Sequence, residues 1–223
     1  AIFFGFPLEA MSSSAQNDVI AVLVEWIGDT SEPCTSDCNG DGFINVTDND
    51  GKNWKKYEVK KLSILFAILQ RTSYQISNRS LNSDDILNAQ LTSDMWNFTR
   101  QVQMTTDFIK NGVARLAGIK FETFEDNEKS LDELQARLIK TISCLNEIRP
   151  EQVNGAENRI IEIEICKTKF ELTGSDFLQN FVTPNVYFHL SIAYGILRAQ
   201  NIDLGKVDYL GHSILQKRKR LSQ

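Results

Sequence analysis

The sequence predicts an all-α protein, a four-helix bundle carrying one small β-hairpin and preceded by a short acidic segment. Three observations carry this reading. Four long stretches between 57 and 198 repeat apolar residues at three-four spacing. Their connections are short, which favours helices packed against one another as a bundle. The period drops from 3.6 to two only between Arg159 and Thr173.

Asp18 to Gly28 reads as a short apolar helix with Val19, Ile20, Val22, Leu23, Trp26 and Ile27 on its packing side, followed by a polar loop to about Asn53. The first long helix spans Tyr57 to Gln75, with Leu62, Leu65, Phe66, Ile68 and Leu69 apolar. A helical turn is expected at Asp84 to Gln90. The second long helix runs from Ser93 to Ala117 through Met95, Phe98, Val102, Thr105, Ile109, Val113 and Leu116, and Gly118 stops it. Ser130 and Glu133 form a capping-box pair that opens the third, through Leu131, Leu134, Leu138, Ile142 and Leu145, and Pro150 ends it. Ile161, Ile163 and Ile165 then alternate with Glu162 and Glu164, and Lys167 and Thr168 make the turn before Phe170 and Leu172. Thr173 to Asp176 caps the fourth helix, whose register Pro184 kinks or restarts.

A chain of 223 residues is long enough for one good core with a small appendage. A net charge of -5 and a pI near 5.2 argue against a nucleic-acid partner, which would require a basic face. Nine acidic residues and no Lys or Arg lie in 1–51, so the chain divides into an acidic segment, 1–52, the bundle, 53–212, and a basic tail, 213–223. No run of 18 or more apolar residues exists, and no membrane association is expected. The apolar opening Ile2 to Pro7 lacks a basic flank and reads as a frayed terminus or the remnant of a processed signal. Cys34 and Cys38 are near enough to bridge or to remain free thiols in a loop, while Cys144 and Cys166 fall in helix and strand patterns that bury small thiols.

Within Pro184 to Arg198, winding at 100° per residue places Leu178, Val182, Asn185, His189, Ile192, Ala193 and Ile196 in one arc. His189 therefore points inward, where an imidazole is either satisfied by a hydrogen bond or used as a ligand or proton carrier. Gln101 falls within the apolar arc of the second helix. Gln101, Asn185 and His189 are thus the candidate pocket, with His189 bonded to Gln101 or Asn185. Tyr187 and Tyr194 point away from it, Asp107 reads as a solvated or intrahelical contact, and His212 and Lys217 to Arg220 read as surface residues.

D-M-W-N-F-T-R-Q-V-Q (94–103), V-A-R-L-A-G (113–118), G-A-E-N-R (155–159), P-N-V-Y-F-H (184–189) and L-G-K-V-D-Y-L-G (204–211) resemble, in order, a domain-of-unknown-function family related to the DinB-like bundles. The resemblance covers Tyr57 to Gly211 and implies an up-and-down bundle with the hairpin near one end, and dimerisation through helix faces. Many DinB-like relatives hold a divalent metal with three histidines, one on the second helix and an H-x-x-x-H pair on the last. His189 matches the first of that pair, but Ala193 stands at the second position and Gln101 or Gln103 where the second-helix histidine would be, which counts against a transition metal at His189.

Asp37 to Asp48, D-C-N-G-D-G-F-I-N-V-T-D, fits the calcium-loop template, with Asp37, Asn39, Asp41, the Phe43 carbonyl, Asn45 and Asp48 as Ca²⁺ ligands and Gly42 at the sharp turn. With the helix before it, the segment resembles half of a dockerin-type repeat, though one loop is present and Asn49-Asp50-Gly51 stands where an exit helix should begin.

Three functional readings follow. The first is a bundle with little or no catalysis that binds a small molecule near His189. The second is a metal-dependent transferase or hydrolase of the DinB-like type. The third is a calcium-stabilised interaction module. Localisation is likewise divided, since the bundle resemblance favours the cytoplasm and a dockerin-like leader implies export.

Overall fold

The computed structural model describes residues 2–3, 6–7 and 53–211. Two units are distinguished, 1–36 with 212–223, and Asp37–Gly211. In the first, strand β1 (Ile2–Phe3) pairs antiparallel with β2 (Phe6–Pro7), Ile2 opposite Pro7 and Phe3 opposite Phe6. The expected helix 18–28, the calcium-type loop Asp37–Asp48, Cys34, Cys38, His212 and the basic tail lie outside the described residues.

The second unit begins with α1 (Asn53–Arg79), longer at both ends than its apolar spacing predicts. Its end is set by backbone geometry, because Ser80 takes a φ of 50° and the Leu81 N–H returns to the Ile76 carbonyl. A short helix α2 (Ser83–Asn88) follows, capped by Asn82. The next long helix, α3 (Phe98–Ala117), starts five residues later than expected: the Asn97 side chain accepts the Arg100 N–H and makes the cap, leaving Ser93 to Met95 in a turn. Gly118 ends it at φ 68°. In α4 (Leu131–Glu147), Ser130 accepts the Glu133 N–H, and Glu133 reaches back to the Lys129 N–H. Pro150 opens a further turn, α5 (Pro150–Val153), where its missing N–H would have been unpaired in any case.

The hairpin pairs β3 (Ile160–Ile165) with β4 (Thr168–Thr173), Ile163 opposite Phe170. Its turn is Cys166–Lys167, one residue earlier than the sequence suggests, and both residues hold positive φ, 49° and 66°. That is the primed geometry whose twist matches the strands. Cys166 is therefore exposed rather than buried in a strand, and Cys144 is half-buried. Thr173 caps the following turn, Gly174–Asp176, which runs through a π-helical segment, Phe177–Val182, into α6 (Thr183–Ala199). The Thr183 N–H reaches the Leu178 carbonyl, and Pro184 lies in the first turn of α6. The wider turn accommodates a ring that would otherwise collide with the carbonyl four residues back. A last short helix, α7 (Lys206–Leu210), follows a loop.

The main packing does not follow chain order. Helix α1 lies chiefly against α4, α4 against α3, and α3 against α6, whereas α1 touches α3 only lightly. The long connection 80–97 allows α1 and α3 to separate. Leu62, Leu65 and Leu69 of α1, Val102 and Ile109 of α3, Leu134 and Leu138 of α4, and Val186 and Ala193 of α6 fill the core. Burial of a large aliphatic side chain contributes about 1.5–3 kcal/mol before the entropy of ordering it. Two glycines permit close approach. A Cβ on Gly174 would lie 1.8 Å from the Ala156 carbonyl oxygen, and one on Gly112 would lie 2.7 Å from the Val182 Cγ2.

The loop after α6 is laced to α1 by three residues spaced four apart. Arg71 donates to the Asp203 carbonyl at 2.7 Å and pairs with its carboxylate at 3.0 Å. Gln75 donates to the same carbonyl at 2.9 Å and accepts the Asp203 N–H at 2.7 Å. Arg79 donates to the Asn201 carbonyl at 2.7 Å.

Candidate functional site

His189 is placed by the register of α6. The inward residues are Val186, His189, Leu190, Ala193, Ile196 and Leu197, a stripe turned slightly from the one that uninterrupted α-helical winding through 178–196 predicts. The π-helical turn is the reason, since it inserts extra backbone into the winding. Ile192 is consequently half-buried, and Asn185 does not join His189. The Asn185 amide donates instead to the Phe181 carbonyl at 2.7 Å, within its own helix.

Gln101, carried inward by α3, meets His189 directly. Both are buried, at 1% and 5% exposure. The Gln101 Oε1 lies 2.8 Å from the His189 Nδ1, and its Nε2 donates to the Trp96 carbonyl at 3.1 Å. An amide that donates through nitrogen accepts through oxygen, so Nδ1 carries the imidazole proton. Nε2 is left as a lone-pair acceptor, with no hydrogen bond to the described residues.

Aromatic rings surround the imidazole. Phe108 and Trp96 lie nearly parallel to it, with centroids 5.5 and 5.8 Å away, and Phe188 meets it edge-on at 5.2 Å. Trp96 and Phe188 are half-exposed, at 50% and 52%, so the site reaches the surface. The Arg100 guanidinium sits over the Trp96 ring at 5.4 Å. Burial, with a smaller contribution from the Arg100 charge, pushes His189 down from 6.5 to about 4. The imidazole is neutral at ordinary pH and offers a base and an acceptor, not a cation.

A charged cluster flanks this site on α3, α4 and the 119–130 loop. Arg137, 4% exposed, pairs with Asp107 at 2.9 Å, Asp126 at 3.0 Å and Glu128 at 2.9 Å, and its Nε donates to the Thr106 hydroxyl at 2.8 Å. Arg100 pairs with Asp126, and Gln103 donates to Glu128 at 2.8 Å. Lys110, also buried, donates to the Glu122 carbonyl at 2.8 Å and lies 3.7 Å over the Phe124 ring. Burial raises the Asp107 carboxyl against the opposing pull of Arg137 and Lys110, and burial lowers the Lys110 ammonium. Asp107 makes the intrahelical contact that the sequence suggests, to Lys110 at 3.9 Å, and adds an interhelical one to Arg137. Trp96 and Phe108 complete the surroundings of the site, and Arg137 gathers the neighbouring cluster; none is legible as such, because a charged residue mid-helix and aromatics at helical spacing read first as surface and core.

The side chains do not fit a three-ligand transition-metal site. His189 contributes one free nitrogen, the Gln101 oxygen is engaged by Nδ1, Gln103 turns to Glu128, and Ala193 supplies only a methyl. Among the described residues no group of three His, Cys, Asp or Glu side chains is gathered as a metal would require. Nor is any described helix long and apolar enough to cross a membrane.

A family model, the domain of unknown function DUF1993, matches residues 57–210. Among solved structures, a DinB family member protein from Shewanella denitrificans is 34% identical, with a TM-score of 0.66 over 70% of this chain and 89% of that one. No curated protein matches the chain.

Proposed function

This chain belongs to the DUF1993 family and has a DinB-like helical fold, and on that premise we propose that it binds a small molecule at His189. One observation carries the proposal: a buried, neutral imidazole held in a single tautomer, with Nε2 unpaired among the described residues and aromatic rings around it. An acceptor in apolar surroundings selects an apolar or aromatic molecule bearing one N–H or O–H donor, because leaving either partner unpaired costs about 1–3 kcal/mol. Gln101 orients the imidazole, Trp96 and Phe188 line the approach, and Asn185 takes no direct part. The metal-dependent transferase or hydrolase reading lacks its ligands among the described residues.

The test is a thermal-shift screen of small aromatic alcohols and amides, repeated on His189→Phe and read again by tryptophan emission against a Trp96→Phe control. Donor-bearing compounds should stabilise the wild type and lose that effect in the variant. A screen that stabilises nothing, or the same hits in His189→Phe, rejects the proposal.

A second reading concerns calcium. The spacing of Asp37, Asn39, Asp41, Phe43, Asn45 and Asp48 supports a Ca²⁺ loop that stabilises the N-terminal segment. Calcium should then raise the melting temperature, and Asp37→Ala with Asp41→Ala should abolish the rise; an indifferent melting curve sinks this reading.

A further inference from the structure

The outer edge of β4 matches a second copy of itself. Among the described residues the hairpin is a two-stranded sheet, so β4 has a partner on one side alone. Residues 168–171 are exposed, and Phe170 keeps 45% of its surface in solvent. Unpaired strand edges attract further strands unless something blocks them.

Ladder phase decides which backbone groups are available. The two-residue turn Cys166–Lys167 makes Ile165 and Thr168 a hydrogen-bonded pair, so alternation makes Ile163 and Phe170 another. The N–H and C=O groups of Lys169 and Glu171 therefore face away from β3. These are the groups a new antiparallel neighbour would engage.

We propose that two copies pair antiparallel through β4, with the two-fold axis at Phe170, giving a four-stranded sheet. In this register Lys169 faces the second copy's Glu171, and Glu171 faces its Lys169, both as hydrogen-bonded pairs. Phe170 faces its own counterpart as the close, non-hydrogen-bonded pair, and Thr168 faces Leu172. Ladder phase admits an axis at Lys169, Phe170 or Glu171, and charge selects Phe170 among them. Centring the axis on Lys169 or Glu171 would oppose like charges, and pairing through β3 about Ile163 would set Glu162 against Glu164 while its inner edge is already taken.

The register also accounts for an oddity of the isolated hairpin. Glu162 stands directly opposite Glu171, a repulsive cross-strand pair. In the paired sheet a lysine from the second copy joins that row. Phe170, on the same face as the buried Ile163, gains an aromatic neighbour.

Sedimentation and light scattering of the full chain, with far-UV circular dichroism as a fold control, test this inference. The wild type should reach twice its 25.3 kDa chain mass. Lys169→Glu should return it to the single-chain mass, and Lys169→Glu with Glu171→Lys should restore the dimer. With Cys166→Ser, Phe170→Cys should yield a covalent dimer under mild oxidation, since facing non-hydrogen-bonded positions bring Cα atoms to about 4.5 Å. A single-chain mass for the wild type at every concentration, or a dimer that survives Lys169→Glu, overturns the proposal.

Discussion

Gln101 and His189 form a hydrogen-bonded pair whose polarity is fixed from the glutamine end. The Trp96 carbonyl engages the Gln101 amide nitrogen, which turns its oxygen toward the Nδ1 proton of His189. Gln101→Leu leaves that buried N–H and the Trp96 carbonyl unpaired and should destabilise the protein by about 1–3 kcal/mol in chemical denaturation. Gln101→Glu places a carboxylate against Nδ1 and should raise the His189 pKa above its present value of about 4, as read by NMR titration.

The same histidine makes stability depend on acid in a defined direction. Its pKa falls from 6.5 in the unfolded chain to about 4 in the folded one. Between those values the unfolded chain takes up a proton that the folded protein excludes, so stability declines as pH falls from 6.5 and levels off below 4. The whole effect is on the order of 3 kcal/mol. Above 6.5 the group contributes no slope. Carboxylates titrate over part of the window, so the readout is the difference between unfolding curves of the wild type and His189→Phe, which should share a slope only outside it.

Arg137 should be the least replaceable charge in the bundle. Its removal in Arg137→Met takes the shared guanidinium from Asp107, Asp126 and Glu128, leaving them only Lys110, Arg100 and Gln103, and breaking a buried pair from one side costs up to about 3–5 kcal/mol. Arg137→Lys should recover little, because an ammonium cannot reproduce the forked contacts to three carboxylates and a hydroxyl. Asp107→Asn should be milder, since burial already disfavours its charged form. Melting temperatures of the three variants rank them.

Gly112 and Val182 should behave as a coupled pair. Gly112→Ala drives a methyl group to 2.7 Å from Val182 and should cost about 1–3 kcal/mol, against a gain of about 1 kcal/mol from helix propensity. Adding Val182→Ala should relieve the clash, giving a favourable coupling in a double-mutant cycle. Gly174→Ala meets a backbone carbonyl at 1.8 Å, so no side-chain truncation should rescue it.

Much of this structure was legible in the spacing of Leu, Ile and Val, which locates α1, α3 and α4, and in Ser130 and Gly118, which bound two of them. The inward direction of Gln101 and His189 is equally plain. Other features were hidden for identifiable reasons. Ser93, Asp94 and Asn97 are all competent caps, and only backbone geometry selects Asn97. The π-helical turn leaves no trace in composition, and so uninterrupted winding turns Asn185 inward, a position it does not hold. Arg137 draws its partners from α3 and from the 119–130 loop, which no local pattern reveals. The packing of α1 on α4 rather than α3 is likewise a property of the assembled helices.

The three ties from Arg71, Gln75 and Arg79 to residues 201–203 set the order in which this bundle can be completed during synthesis. The earliest described helix depends on partners more than 120 positions downstream. While a ribosome is still producing α6, the apolar stripe of α1 can already pack on α4, but Arg71, Gln75 and Arg79 have not yet met the backbone they bond. The polar ties that close α1 against the end of the chain therefore form last, once the 200–205 loop has emerged.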